Sequence, residues 1–325
     1  MNSTAASQRR DFKWQLLASV SAFAMLASLS GAQAQDAPPP PPSDDSHIWV
    51  ELGGQLTDFA SAPTTFFNDP ATPGSAQSIG PSGGWDADAK FSFQPADSDW
   101  IFSIAARYGR TNPKNFFGSG TVAPATTDST QRYYTGFVSH KESHAIIDFT
   151  VGKDFGLGMF GQKGSSIFSL GVRFAQFQSR TNIGYYTGTI SSTSFSENAR
   201  ISRAFNGVGP MIAWDASAPL SGDFNSQLSV DWGADASVLF GKQKVTLGVS
   251  YSGGAFNSAS PRHNSATVPS IGGYLALSWH GGEGTKISLG YRADEYFNAL
   301  DGGFDTAAKI NRAFYGPFIK IGISD

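Results

Sequence analysis

The chain has 325 residues, a formal net charge of -3, 37 glycines, 26 phenylalanines, 7 tryptophans, 10 tyrosines and no cysteine. Charged residues make up 15% and mean hydropathy is -0.20, which excludes a bundle of membrane helices, since each would need about 20 consecutive apolar residues. With no basic stripe to follow a phosphate backbone, nucleic acid is excluded as a partner. The missing thiols exclude disulfides, thiolate catalysis and thiolate metal sites. Few charges with many aromatics and glycines describe strands that are apolar on one face and polar on the other, as in a membrane barrel.

Residues 1–34 read as a cleaved secretory signal peptide. Arg9, Arg10 and Lys13 supply the positive start, residues 16–29 a short apolar stretch, and Ala32-Gln33-Ala34 the cleavage site. Arg9-Arg10 also resembles a twin-arginine signal. That route carries folded cargo, whereas a barrel crosses the inner membrane unfolded, so the pair reads as ordinary positive charge. Residues 35–46 follow as a proline-rich periplasmic linker, with five consecutive prolines at 38–42. Such a run cannot enter a sheet and forms a polyproline II spacer.

Residues 47–325 are read as the barrel. In residues 85–93, Trp85, Ala87, Ala89, Phe91 and Phe93 point one way, and Asp86, Asp88, Lys90 and Ser92 the other. In residues 224–240, Phe224, Leu228, Val230, Trp232, Ala234, Ala236, Val238 and Phe240 share a face opposite Asn225, Gln227, Asp231, Asp235 and Ser237. Alternation alone also suits a soluble sandwich. Aromatics at both ends of the apolar face instead point to a membrane-interface girdle. The spacing predicts strands at 47–57, 84–94, 99–110, 143–155, 164–179, 201–216, 223–240, 267–280, 285–297 and 311–323. Their connections alternate long and short, with short turns at 95–98, 156–163, 217–222 and 281–284. The fold class is therefore all-β, a transmembrane antiparallel up-and-down barrel of about ten strands, eight or twelve being the alternatives. Residues 131–139 and 245–251 also alternate and are read as strand extensions or ribbons beyond the membrane.

Three segments carry a resemblance to a known family. They are Phe205-Asn206-Gly207-Val208-Gly209-Pro210, then Leu289-Gly290-Tyr291-Arg292 with Glu295-Tyr296-Phe297-Asn298-Ala299, and Tyr315-Gly316-Pro317-Phe318. Together with Ile147-Asp148-Phe149 and Gly171-Val172-Arg173-Phe174, they make residues 143–323 similar to the Legionella-type major outer membrane proteins, a group of porin-like barrels. The resemblance implies a pore-forming outer-membrane protein and supplies no catalytic residues. One departure is the ending Ile321-Gly322-Ile323-Ser324-Asp325, where such barrels commonly end in an aromatic residue read by the insertion machinery. The expected partners are outer-membrane lipids, the barrel assembly machinery with periplasmic chaperones, and small solutes; homo-oligomerisation is left open.

The motifs of other chemistries fail on context. Gly156-Leu157-Gly158-Met159-Phe160-Gly161 fits G-x-G-x-x-G, but a strand follows where a dinucleotide site needs a helix, so it reads as a glycine turn. His140, Glu142 and His144 share a strand face, yet the histidines stand about 13 Å apart, too far for one ion. They are expected to be a solvated polar segment. His47, His263 and His280 are expected at strand ends, loops or turns. No G-x-S-x-G or catalytic set is present, so no enzyme, metal or cofactor is expected.

The remaining candidates are the polar residues whose parity turns them inward: Asp86, Asp88, Lys90, Arg107, Asp148, Arg173, Asp231, Asp235 and Arg292. Facing lipid, each Arg or Lys would cost about 2–4 kcal/mol at mid-depth, so they are placed in the lumen. They line a weakly selective pore, or they form an internal salt-bridge network that closes a narrow barrel. The loops at 58–83, 111–130, 180–200 and 241–266, poor in charge, suit either a constriction or a recognition surface. The leading expectation is passive diffusion of ions and small solutes; the alternative is a closed structural or adhesin-type barrel.

Overall fold

The computed structural model describes residues 46–60, 64–66, 77–79, 83–122, 132–156, 164–189, 192–222, 226–251, 257–258, 261–281, 284–302 and 309–324. The signal and linker readings, and Phe224 and Asn225, lie outside them. The described residues form strands only: β1 (His47–Ala60), β2 (Thr64–Phe66), β3 (Gln77–Ile79), β4 (Gly84–Gln94), β5 (Trp100–Thr111), β6 (Lys114–Val122), β7 (Arg132–Asp154), β8 (Ser165–Thr189), β9 (Ser192–Gly222), β10 (Ser226–Tyr251), β11 (Asn257–Ser258), β12 (Arg262–Gly281), β13 (Thr285–Asp301) and β14 (Lys309–Ser324).

Ten of them close into an antiparallel barrel in the order β1-β4-β5-β7-β8-β9-β10-β12-β13-β14, with β14 returning to β1. The closing register sets Trp49 opposite Ser324 and Ala60 opposite Ala313. Each of the ten sequence-predicted strands corresponds to one of these. The reason is local: period-two alternation is required wherever one face meets lipid and the other an interior. Outward residues such as Leu52, Leu170, Leu277 and Leu289 are more than half exposed, as lipid-facing side chains are.

Above the barrel the sequence reading needs correction. Residues 180–200 and 241–266 are not loops in the main. β8 continues to Thr189 and β9 begins at Ser192, so only residues 190–191 separate them. Likewise β10 runs to Tyr251 and β12 starts at Arg262, while β6 occupies part of the 111–130 segment and pairs with β7. β7 to β10 have 23, 25, 31 and 26 residues, well beyond the roughly 9–11 that cross a bilayer. The length expected in loops lies in hydrogen-bonded ribbons. Residues 132–139 and 245–251 are strand extensions, as the alternation suggested. The barrel thus has a turn end, holding the start of β1 and the end of β14, and a ribbon end.

Interior glycines make room for large inward side chains on neighbouring strands. A Cβ at Gly241 would approach the Phe205 ring to 2.8 Å, and one at Gly272 would approach Asp235 Oδ2 to 2.7 Å. Gly156, which opens the β7–β8 connection, has a φ of 61°, fitting a glycine turn; residues 157–163 are outside the described set.

The lipid-facing assignment is checked by Leu170→Arg, within the outward apolar run Phe168, Leu170, Val172 and Phe174 of β8. Unfolding in lipid vesicles should show a loss of about 2–4 kcal/mol. An unchanged stability would place this face away from hydrocarbon.

Candidate functional site

The lumen is stacked in three layers, each built by inward parity from several strands. Nearest the turn end is a polar cavity of about 240 Å³ whose walls include Asp88, Lys90, Asp215, Tyr274, Arg292 and Lys320. All nine sequence-selected residues face the interior. Eight of them line this cavity, and the ninth, Asp86, is buried beside it at 3% exposure.

Inside, their charges are paired. Arg173 donates from Nε and Nη2 to Asp148 at 2.7 and 2.8 Å, and from Nη1 to Asp235 at 2.6 Å. Arg107 Nη1 donates to Asp294 Oδ2 at 2.6 Å, which also accepts from Arg292 Nε at 3.0 Å. Lys286 meets Asp231 at 2.6 Å, Lys90 meets Asp215 at 3.5 Å, and Lys320 meets Asp88 at 3.5 Å. Arg173 and Arg107 are only 2% and 7% exposed, so these are desolvated pairs held by bidentate and shared bonds. The sequence reading missed the partners Asp215, Lys286, Asp294 and Lys320. Each lies on the inward face of its strand, so parity was a usable signal.

The middle layer is apolar. Phe59, Phe177, Phe205, Leu239, Leu300 and Phe314 pack with Tyr296 in one cluster, all at 6% exposure or less. Its contacts cross the lumen between strands that are not neighbours. The Phe177 ring on β8 lies 4.7 Å from that of Tyr296 on β13 and 5.9 Å from that of Phe314 on β14. The His144 ring on β7 lies tilted 4.0 Å from that of Phe314 and 5.6 Å from that of Phe59 on β1. Among the described residues, these contacts join one wall of the barrel to the other through side chains that are almost fully buried.

The third layer, at the ribbon end, is again charged. His140 bonds Thr181 Oγ1 at 2.9 Å and Glu142 Oε1 at 2.8 Å. Glu142 also pairs with Arg312 at 2.9 Å. The expectation of a solvated His140–His144 segment is therefore corrected: His140, Glu142 and His144 are 3%, 5% and 2% exposed, because β7 continues through them with its inward face unchanged. His144 Nε2 faces Asp86 at 3.3 Å. Among the described residues no group of three or more ligating side chains could hold a metal ion. His47 begins β1, and His280, near the end of β12, meets Ser229 Oγ at 3.0 Å.

A family model described as the Legionella pneumophila major outer membrane protein precursor matches residues 83–324. The chain belongs to this family. It is an outer-membrane β-barrel, and the match begins well before the 143–323 stretch whose motifs carry the visible likeness. Similar solved structures include the Pseudomonas putida toluene transporter TodX, at 9% identity over 89% of this chain and 90% of that one, TM-score 0.21. The Ralstonia pickettii toluene transporter TbuX is 7% identical over 86% and 90%, TM-score 0.21. The translocator domain of the autotransporter NalP from Neisseria meningitidis is 7% identical over 98% and 97%, TM-score 0.25. No curated protein matches the chain.

For this member of the family, the Arg173 network has a measurable consequence. Arg173→Ala leaves Asp148 and Asp235 buried without their cation and should destabilise the barrel by about 3–5 kcal/mol. Adding Asp148→Asn and Asp235→Asn should restore much of the loss in the same unfolding assay. A loss below about 1 kcal/mol for the single variant would mean that the pairs are exposed to solvent.

Proposed function

We propose that this outer-membrane barrel is closed in the conformation described and works as a structural or surface-recognition protein through its ribbon end. The observation carrying the reading is the apolar layer, whose rings touch across the lumen from β8 to β13 and β14. An ion crossing it would leave its hydration shell among phenylalanine side chains, at a cost far above thermal energy. The long strands β7 to β10 then provide the surface that other molecules meet. Outer-membrane barrels keep short turns in the periplasm and long connections outside, so the ribbon end is external. The same reading keeps residues 1–34 as a cleaved signal and the prolines at 38–42 as a periplasmic spacer. We assign the protein no catalytic role.

The competing reading is passive, weakly selective diffusion of ions and small solutes. The polar cavity of about 240 Å³ favours it, since residues of both signs, from Asp86 to Arg292, would become a pore lining once the apolar layer parted. Hydrophobic constrictions of this kind gate by dewetting.

Planar-bilayer recording separates the two. Folded wild-type barrel should give no steady single-channel steps, whereas the combined Phe177→Gly, Phe205→Gly and Phe314→Gly protein should give discrete ones. Reproducible steps from the wild type, lost on heat unfolding, would contradict closure and support the diffusion pathway.

A further inference from the structure

The outward face of the ribbon end gathers cations immediately beyond the apolar belt. On β5, Tyr108 is followed on the same face by Arg110; on β8, Phe174 is followed by Gln176, Gln178 and then Arg180; on β10, Phe240 is followed by Lys242 and Lys244. β7 runs the other way and places Lys141 beyond Ile147. Register brings them together. Lys141 lies directly opposite Arg180, and one row joins Trp85, Arg110, Ser143, Gln178, Ala204 and Lys244. At about 4.8 Å between strands, the cations from β5 to β10 span about 19 Å.

A concavity of about 430 Å³ lies here, with Tyr108, Arg110, Lys141, Arg180 and Lys244 in its walls. Among the described residues, β5 and β7 to β10 carry no Asp or Glu on this outward face beyond the belt. Nor, among the described residues, does Arg110, Lys141, Arg180, Lys242 or Lys244 have an acidic partner, unlike Lys153 at the turn end, which pairs with Asp99 at 2.8 Å. The height is marked independently. Arg110 sits over the Trp85 ring at 5.9 Å, and Trp85 meets Tyr108 edge-on at 6.1 Å, an aromatic pair of the kind that stands at the membrane–water boundary.

We propose that this face binds the phosphate groups of the phosphorylated glycolipid that forms the outer leaflet of the outer membrane. A cationic patch whose neighbouring acid, Glu142, is turned inward and paired with Arg312, adjoining lipid-facing side chains, complements a headgroup that carries phosphates at the same boundary. Arginine grips phosphate by paired N–H donors and lysine as a point charge. The acyl chains of the bound lipid would lie on the apolar belt below, against Phe174 and Phe240. The inference depends on the outer-membrane position and external ribbon end, and holds whether the lumen is open or closed.

Native mass spectrometry of the refolded full chain in zwitterionic detergent tests it, with bisphosphorylated lipid A as the probe. The wild type should retain bound lipid A. The Arg110→Ala, Lys141→Ala, Arg180→Ala and Lys244→Ala protein should bind on the order of 1,000-fold more weakly, and Lys153→Ala as tightly as wild type. Folding is checked by the heat-dependent gel shift, and the milder Lys141→Ala/Arg180→Ala pair serves should the quadruple variant not fold. Equal retention of lipid A stripped of its phosphates would overturn the proposal. So would equal retention of phosphatidylglycerol, or unchanged binding by the folded variants.

Discussion

In the hydrocarbon of a bilayer, every peptide N–H and C=O must find a partner within the protein, because each one left over costs several kcal/mol. Ten strands meet this demand by pairing β14 back to β1, in one register from Trp49 to Gln55 and again from Asp58 to Ala60. Closure fixes the number of strands, and that number fixes how much space lies inside. A barrel of about eight strands is filled by its own side chains; ten leave little more. The interior of this protein is the packing solution to that residual space.

Two kinds of filler are used, and they are segregated by height. Toward the turn end, arginine and lysine extend from one strand to carboxylates on others, as Arg173 does to Asp148 and Asp235. Higher up, phenylalanines do the same with dispersion contacts. The buried charges are costly to desolvate, and Arg173 offsets that cost with three bonds to two carboxylates, while the aromatic layer needs no such compensation. Inward glycines on adjacent strands, such as Gly241 beneath Phe205, make the crowded geometry feasible. The outer wall obeys a different solvent, with aliphatic side chains in the belt and cations where water and headgroups begin.

The lipid-crossing strands and the inward charges could be read from sequence because the bilayer imposes period two on every residue it touches. Arg173 and Leu170 lie on opposite faces for that reason alone. Beyond the bilayer the rule lapses. In β8 past Arg180, inward Thr181 is followed by Asn182 on the other face, both polar, so the hydrogen bonding of this stretch to β9 was read as a loop. The apolar layer was missed for another reason. Phe177 has the inward parity of Arg173, and Leu239 that of Asp235, but an interior expected to be polar gives no cause to count them there. Where large apolar residues take inward parity on several strands at one height, a filled lumen is the physical reading. His144 and Asp86 show the same limit. They lie on β4 and β7, on either side of Gly109 in one register row across β5, so only the pairing of those three strands brings them to 3.3 Å.

Closure by the apolar layer rests on rings from opposite walls touching, and proton NMR of the barrel in lipid nanodiscs reports that contact directly. With the Phe177 and Tyr296 ring protons assigned, a strong cross-peak between them is expected, since their centroids are 4.7 Å apart on strands that share no hydrogen bonds. Assigned, ordered rings with no cross-peak would place the two walls apart and contradict a closed lumen.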